Sequence, residues 1–339
     1  MSDRRHVETS FWWYDSVKDG RTTRLQTTTL AYLAMARLDH STKQIFIIPG
    51  ITLALLLRGV HNDQLGASIG LGLMTAISIA SANYVINEWM DREFDKFHPT
   101  KVWRAAVQNE LEVNIVLIEW AALLAVGLAC AFANSKSMFM FASIFAIQGI
   151  VYNVPPLRTK DKAYLDVISE SINNPLRLMI GWSMVDPTTL PPSSVILMYW
   201  AGGAFLMAAK RFSEFREIVA SHGREILVRY RASFGSYSEK SLAVSCLVYA
   251  LCSVFFLAIF LIKYRIEYLL TVPIIIALFA KYFALSMEAG SSAQKPEKLF
   301  NERHLIVLVA LLAVIFFVAT FINIPQLELF TTQRYIEVK

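Results

Sequence analysis

Hydrophobic residues occur in this chain in long segments separated by short polar stretches. Nine segments each approach the 17–25 residues that a helix needs to cross a bilayer. They cover approximately residues 44–59, 65–90, 111–133, 137–153, 163–185, 193–209, 240–262, 268–287 and 304–324. The pattern predicts an all-α integral membrane protein with about nine transmembrane helices. The segment at 163–185 is the most polar, and it can span a membrane only if its polar groups face a protein-lined cavity.

Basic residues are distributed unevenly among the stretches that connect these segments. Twenty-five Lys and Arg residues fall on the side of the N-terminus and six on the other side, with Arg177 inside the fifth segment. Because Lys and Arg are enriched in cytoplasmic loops, the split predicts a multi-pass protein of the cell (inner or plasma) membrane with a cytoplasmic N-terminus and a C-terminus on the far side. The same distribution argues against nucleic acid as a partner, although the net charge is +5.

Composition agrees with a membrane protein. Of the 339 residues, 55% are hydrophobic and 17% are charged, whereas soluble domains carry about 25% charged residues. No basic and apolar leader opens the chain, so we expect no cleavable signal peptide. The three cysteines lie in apolar segments, and we therefore expect neither disulfides nor a zinc site.

The first 36 residues form a separate cytoplasmic segment in this prediction. Phe11–Tyr14 is an aromatic cluster, and Leu25–Leu38 has apolar residues at positions 30, 33, 34 and 38. This spacing favours an amphipathic helix at the membrane interface, with a flexible tail as the alternative. We expect the transmembrane domain at residues 37–325 and a C-terminal tail at residues 326–339 on the non-cytoplasmic side.

An acidic motif directly follows the second apolar segment. Asn87, Asp91 and Asp95 are spaced at i, i+4 and i+8, which stacks three oxygen-bearing side chains on one face of a helix. Neighbouring carboxylates repel one another unless a cation lies between them. Hard oxygen ligands suit Mg²⁺, which keeps several waters and bridges to substrate phosphates. The motif therefore predicts a magnesium site for a diphosphate at the membrane surface.

A second acidic motif begins the fifth apolar segment, on the same predicted side of the membrane. Pro155 and Pro156 end the preceding helix, and Asp166 and Glu170 follow at i, i+4, with Asn174 extending the row. Two acidic faces on different helices could hold the two sides of a metal–diphosphate complex. Basic residues near both motifs are candidates to bind phosphate oxygens. They are Lys43, Lys101, Arg104, Arg158, Lys160, Arg177, Lys210 and Arg211.

Together these motifs resemble the UbiA superfamily of intramembrane transferases over roughly residues 37–325. Within it, the chain is most similar to the decaprenyl-phosphate phosphoribosyltransferases. Those enzymes typically carry His-Pro-Thr-Lys-x-x-Arg, which stands here at His98–Arg104, and Lys-Arg-x-x-Glu, which stands here at Lys210–Glu214. Tyr230 also matches a family tyrosine. The chain departs from the family pattern at Glu88, where Asp is usual, and its Tyr152–Lys160 segment is more similar to the ordinary prenyltransferases of the superfamily.

The resemblance implies a UbiA-like helical bundle with a cytoplasm-facing cavity and a Mg²⁺-dependent reaction. The implied reaction transfers 5-phosphoribose from 5-phosphoribosyl 1-diphosphate to a polyprenyl (decaprenyl-type) phosphate and releases diphosphate. Asp91, Asp95 and Asp166 would be catalytic, and with Asn87 and Glu170 they would form the metal ligands. The basic residues named above, with Tyr230, would bind substrate phosphates. Whether the chain forms a homo-oligomer is left open.

Two other functions fit parts of the pattern. An aromatic prenyltransferase would use the same acidic motifs to ionise an isoprenyl diphosphate, but the two basic motifs disfavour it. A secondary transporter would use the intramembrane carboxylates and Arg177 as an ion pathway. Against the transporter, the polar residues gather at one membrane face and no inverted repeat is evident in the sequence.

Overall fold

The computed structural model describes residues 22–59, 64–288, 290–291 and 302–330. These residues form thirteen α-helices, short 3₁₀ helices and connecting turns, with no strand among them. The helices are α1 Thr22–Met35, α2 Ile48–Arg58, α3 Leu65–Asp95, α4 Ala105–Gln108, α5 Val113–Asn134, α6 Lys136–Asn153, α7 Leu165–Ser171, α8 Asn173–Val185, α9 Ser193–His222, α10 Arg224–Tyr230, α11 Glu239–Tyr264, α12 Val272–Ser286 and α13 Arg303–Phe321. The prediction of an all-α membrane protein is therefore confirmed.

Six helical segments in the described part of the chain are long and apolar enough to cross a membrane. They are α3, α5, α9, α11, α13 and the continuous segment Ile266–Ser286, which joins a 3₁₀ turn to α12. The first predicted segment is divided between a 3₁₀ helix at Leu38–Ile47 and the 11-residue α2. The fifth is divided between α7 and α8, of 7 and 13 residues. The count of nine spans therefore stays a prediction.

The two longest helices extend beyond what a bilayer requires. The 31 residues of α3 and the 30 residues of α9 correspond to about 45 Å each, at 1.5 Å per residue. The hydrocarbon core of a bilayer is about 30 Å thick. Each helix is therefore longer than the hydrocarbon is thick. The last turns of α3 carry the first acidic motif, and the second half of α9 carries Lys210–Glu214.

Close helix packing holds the bundle together around the site. Helix α2 packs on α8, α3 on α5, and α9 on α11. A Cβ atom at Gly50 would lie 2.1 Å from the Leu178 carbonyl oxygen, and one at Gly181 would lie 2.3 Å from the Ile47 carbonyl oxygen. These glycines let the α2 and α8 backbones approach closely, as small residues do in membrane helix pairs.

Helix α1 is apolar on two sides. Tyr32, Met35 and Ala36 are buried against α3 and α4, whereas Leu30 and Leu33 are 63% and 58% exposed. Exposed leucines on a helix packed beside the bundle suit the predicted interfacial position, which remains a prediction. The aromatic cluster at Phe11–Tyr14 and the last nine residues of the chain lie outside the described residues.

Candidate active site

A cavity of about 320 Å³ opens where the ends of α3, α6 and α9 meet α7 and α8. Its lining includes ten of the residues that the sequence predicts for the site. They are Lys43, Asn87, Asp91, Lys101, Arg104, Glu170, Arg177, Lys210, Arg211 and Tyr230. Four others, Asp95, Arg158, Lys160 and Asp166, lie behind this lining and contact its members.

Asp91 lies at the centre of the first acidic motif and faces two cations from the loop after α6. Its Oδ1 atom is 2.5 Å from Lys160 Nζ and 2.9 Å from Arg158 Nη2. Lys160 Nζ also donates to Asn153 Oδ1 at 2.8 Å, and the same oxygen accepts from Asn87 Nδ2 at 2.6 Å. Asn153 on α6 thus joins Asn87 of the first motif to Lys160.

Asp95 is completely buried one turn further along α3. Its Oδ2 atom accepts from Arg104 Nη1 at 2.5 Å, and its Oδ1 atom has no hydrogen-bond partner among the described residues. A buried anionic oxygen without a partner is costly, so the Asp95 Oδ1 atom is suited to coordinate a cation.

The residues of the first motif fit Mg²⁺ chemistry. Asn87, Asp91 and Asp95 offer only hard oxygen ligands on one helix face, and Mg²⁺ is usually bound by one or two carboxylates with water and substrate phosphate completing the octahedron. No group of three or more His, Cys, Asp or Glu side chains is arranged to hold a metal ion by itself in the described part of the chain. These residues would supply only part of a coordination sphere, and the remaining positions would have to come from water or a ligand.

The second acidic motif divides into a buried and an open carboxylate. Asp166 is fully buried and accepts from Tyr237 Oη at 2.6 Å, Arg211 Nε at 3.2 Å and Ser233 Oγ at 3.2 Å. Burial and the Asp166 carboxylate raise the pKa of Tyr237, so its hydroxyl stays protonated and donates. Glu170, one turn along, lines the cavity, and its carboxylate makes no hydrogen bond or ion pair within the described ranges.

Glu214 on α9 joins the two basic motifs. Its Oε1 atom lies 3.2 Å from His98 Nε2 and 3.1 Å from Lys101 Nζ, and its Oε2 atom accepts from Arg211 Nη1 at 2.8 Å. His98 Nδ1 accepts the backbone N–H groups of Thr100 and Lys101. The ring must therefore carry its proton on Nε2 to donate to Glu214.

Burial also changes the proton affinity of the loop lysines. It lowers the pKa of Lys101 to about 8, against the opposing attraction of Glu214. It lowers the pKa of Lys160 to about 8 in the same way, against the attraction of Asp91. The Lys101 ammonium also lies 4.1 Å from the centre of the Tyr230 ring. Both lysines remain cationic near neutral pH while they are largely withdrawn from water.

The deeper wall of the cavity carries cations with fewer acidic neighbours. Arg177 donates from Nε to Gln44 Oε1 at 3.2 Å and lies 4.9 Å from the centre of the Phe145 ring. Lys43 lies 5.2 Å from the centre of the Tyr84 ring. The Lys210 side chain makes no hydrogen bond or ion pair in the part of the chain that is described, and burial together with Lys43 and Lys101 holds its pKa well below the usual value. An anionic ligand would favour the protonated form of this side chain.

The cavity lining also includes residues that the sequence-based site did not contain. Arg37, Tyr152, Asn153 and Arg231 all line it. Arg231 directly follows Tyr230, and its Nη1 donates to Tyr152 Oη at 3.2 Å. Because Arg231 directly follows Tyr230, which matches a family tyrosine, the sequence could have identified it as a site residue. Arg37 and Asn153 carried no such signal, because each is an isolated polar residue at a helix end.

Comparison with known proteins agrees with this architecture. The model of the UbiA prenyltransferase family matches residues 45–312. A solved structure of a UbiA homologue from Archaeoglobus fulgidus bound to GPP and Mg²⁺ is 22% identical, has a TM-score of 0.64, and its match covers 86% of this chain and 100% of that one.

Two curated proteins are also similar. The nodulation protein NoeC of Azorhizobium caulinodans is 23% identical over 60% of this chain and 64% of its own length. The decaprenyl-phosphate phosphoribosyltransferase of Mycolicibacterium smegmatis is 29% identical over 52% of this chain and 55% of its own length. The matches thus span between about half and two thirds of these relatives.

Proposed function

The chain belongs to the UbiA prenyltransferase family, and on that premise we propose that it transfers 5-phosphoribose from 5-phosphoribosyl 1-diphosphate to a polyprenyl phosphate. The acceptor is of the decaprenyl type, diphosphate is released, and the reaction takes place at the cytoplasmic surface of the membrane. A water-soluble donor and a lipid acceptor explain a polar cavity at the end of a membrane-spanning bundle.

The charge of the cavity lining carries this proposal. Eight basic side chains line it, whereas Asp91 and Glu170 are the only carboxylates in the described lining. The basic residues are Arg37, Lys43, Lys101, Arg104, Arg177, Lys210, Arg211 and Arg231. One diphosphate needs fewer cations than this. A donor with phosphates at both ends, together with a lipid phosphate, would use the excess.

The contacts of Glu214 add support. His98 and Lys101 come from one phosphoribosyltransferase-like motif and Arg211 from the other, and all three meet at this carboxylate. Because Glu214 holds Lys101 and Arg211 in fixed positions, both can present a cation to the same phosphate. The similarity to the mycobacterial decaprenyl-phosphate phosphoribosyltransferase points in the same direction.

The proposed reaction breaks the bond between ribose C1 and the diphosphate oxygen and forms a bond from C1 to an oxygen of the lipid phosphate. The electron pair of the broken bond leaves on the diphosphate. Asn87, Asp91 and Asp95 would hold Mg²⁺, which when bound supplies positive charge to the leaving diphosphate. Arg104 and the loop residues Lys101, Arg158 and Lys160 would stabilise the same growing negative charge. The acceptor phosphate is already an anion, so no general base is required.

The two carboxylates of the second motif, Asp166 and Glu170, have different roles in this proposal. Glu170 faces the cavity and could complete the metal site or accept from ribose hydroxyls, while its negative charge stabilises an oxocarbenium-like C1. Asp166 orients Arg211 through the 3.2 Å contact with its Nε atom. Whether Asp166 also reaches a metal ion stays a prediction.

Prenyl transfer to an aromatic acceptor is the second candidate. The cavity lining includes the apolar residues Phe46, Leu206 and Met207, which could accept an isoprenyl chain. The similar archaeal structure contains GPP and Mg²⁺. Several lining cations already face carboxylates behind the lining. Under this alternative, a single diphosphate would leave the deeper cations Lys43, Arg177 and Lys210 without a phosphate to bind.

A direct assay separates the two candidates. Purified chain with Mg²⁺ is given labelled phosphoribosyl diphosphate and polyprenyl phosphate, and in a parallel reaction geranyl diphosphate and 4-hydroxybenzoate. We expect labelled lipid product only in the first reaction. Turnover of geranyl diphosphate as the better donor would replace the proposal by prenyl transfer.

Lys210→Ala tests the distal phosphate. We expect the ratio of kcat/KM values to show a loss of about 1.5–3 kcal/mol in transition-state stabilisation, the value of a charge-assisted contact. This loss should be smaller when the donor lacks its 5-phosphate. Lys162→Gln, an exposed lysine of a neighbouring loop, is the matched control and should change neither rate. Equal losses with both donors would contradict the assignment of Lys210.

A further inference from the structure

A second hollow, of about 450 Å³, lies outside the candidate active site along the first turns of α11. Its walls include Tyr164, Lys240, Ser241, Val244, Val248 and Tyr249, and we refer to it as the Lys240 groove. Val244 and Val248 are 50% and 47% exposed. Helix α11 is long and apolar enough to span a membrane, and exposed valines on a helix that spans a bilayer would face lipid.

The polarity of the Lys240 groove changes along the helix. Lys240 and Ser241 lie in the first turn of α11, whereas Val244 and Val248 follow one and two turns later. At 1.5 Å per residue, Lys240 and Val248 are separated by about 12 Å along the axis. A charged end at the membrane margin and an apolar end inside the bilayer match the two ends of a phospholipid.

The charge at the polar end is not neutralised by the protein. Lys240 is exposed and makes no hydrogen bond or ion pair among the described residues. Its neighbour Glu239 is engaged by Arg216 at 3.0 Å. Tyr164 is 45% exposed beside it, and tyrosines are common at the level of lipid headgroups because the ring is apolar and the hydroxyl polar.

We propose that the Lys240 groove binds an anionic phospholipid, with the headgroup phosphate at Lys240 and an acyl chain along Val244 and Val248. A zwitterionic lipid would bind more weakly because its ammonium group opposes the lysine. This site is separate from the cavity, and the proposal does not depend on which donor the enzyme uses.

The groove wall is connected to the buried carboxylate of the second motif. Tyr164 has a positive φ of 66°, a conformation that a tyrosine keeps only when its surroundings impose it. Its N–H group donates to Tyr237 Oη at 2.6 Å, and Tyr237 Oη donates to Asp166 Oδ1 at 2.6 Å. A lipid that covers Tyr164 would therefore stabilise the folded protein, as any ligand of the native state does.

Native mass spectrometry and thermal unfolding test the proposal on the full chain. Delipidated protein is given phosphatidylglycerol or phosphatidylcholine, and lipid retention and the shift in Tm are compared for the wild type, Lys240→Gln, Lys240→Arg and Lys263→Gln. Lys263 is an exposed lysine at the other end of the same helix, so it controls for a general loss of charge.

We expect phosphatidylglycerol to be retained preferentially and to raise Tm in the wild type, Lys240→Arg and Lys263→Gln. Lys240→Gln should retain it about fivefold less, the effect of one lysine near an anionic surface. Val248→Trp, which fills the apolar part and keeps the charge, should lose retention as well. Unchanged retention in Lys240→Gln, equal retention of phosphatidylcholine, or the same Tm shift with soluble glycerol phosphate would overturn the proposal.

Discussion

The two acidic motifs have nearly the same sequence spacing but different surroundings. In the first, Asn87 and Asp91 open on the cavity and Asp95 keeps one buried oxygen without a partner in the described structure. In the second, Asp166 is fully enclosed by three donors, and only Glu170 reaches the cavity. Equal spacing therefore does not give equal access to a ligand.

The difference follows from the helices that carry the motifs. Helix α3 continues for 31 residues, and its last turns reach the wall of the cavity, where Asn87 and Asp91 are part of the lining. Helix α7 has 7 residues and is inserted between α6 and α9, so its first carboxylate meets side chains from all sides. A carboxylate inside such an enclosure must be satisfied by the protein itself.

A test of membrane topology has the largest expected effect, because its outcome is all or none. If both motifs face the cytoplasm, a periplasm-active reporter should be inactive when it is fused after Lys101 or Lys162 and active after Lys339. The charge asymmetry between the two sides of the membrane motivates this expectation. Activity after only one of the first two positions would separate the motifs and exclude a shared site, and activity after both would reverse the predicted orientation.

Removing a charge from the open motif should have the next largest effect. We expect Asp91→Asn and Asp95→Asn each to lower kcat/KM at least about a hundredfold, roughly 2.7 kcal/mol, because the metal ligands of the diphosphate are lost. EDTA should stop turnover and Mg²⁺ should restore it. Glu93→Gln, on the same helix but exposed and paired with Lys96 at 2.7 Å, should change little. Full activity in EDTA would end the metal hypothesis.

The second motif should respond to substitution in two different ways. Asp166→Asn should lower the free energy of unfolding by about 1.5–3 kcal/mol, because hydrogen bonds from Arg211 and Tyr237 to a charged partner are weakened. Glu170→Gln should leave Tm unchanged and lower activity about tenfold. Thermal unfolding and steady-state rates of both variants distinguish these outcomes. An unchanged Tm for Asp166→Asn, with activity lost, would favour a direct metal role for Asp166.

The smallest expected effect is a change in pH dependence. Burial lowers the pKa of Lys101 from 10.5 to about 8, so the side chain is cationic below that pH and loses its proton above it. Because kcat/KM reports the free enzyme, its value for the donor should fall as the pH rises through about 8. Because Lys160 also has a pKa lowered to about 8, Lys101→Arg combined with Lys160→Arg should move this limb to higher pH, whereas Lys96→Arg should not. A flat profile to pH 9.5 would contradict a phosphate-binding role for Lys101.

Much of the architecture was accessible from sequence because it depends on local order. Apolar length predicted the long helices α3, α9 and α11, and helical periodicity predicted that Asn87, Asp91 and Asp95 share a face. The resemblance to the UbiA superfamily agrees with the family match over residues 45–312. Short segments were less predictable, because α2, α7 and α8 depend on neighbours more than on their own apolar length.

Tertiary structure decided which predicted residues share the cavity and which support it from behind. Glu214 contacts His98 from 116 residues away, and Asp166 meets Tyr237 across 71 residues. No periodicity within one segment encodes such pairs, because they arise only when separate helices pack. Sequence alone therefore determined that the protein has two acidic motifs in a membrane bundle. Packing determined that one is open to a ligand and that the other is divided between an enclosed aspartate and an open glutamate.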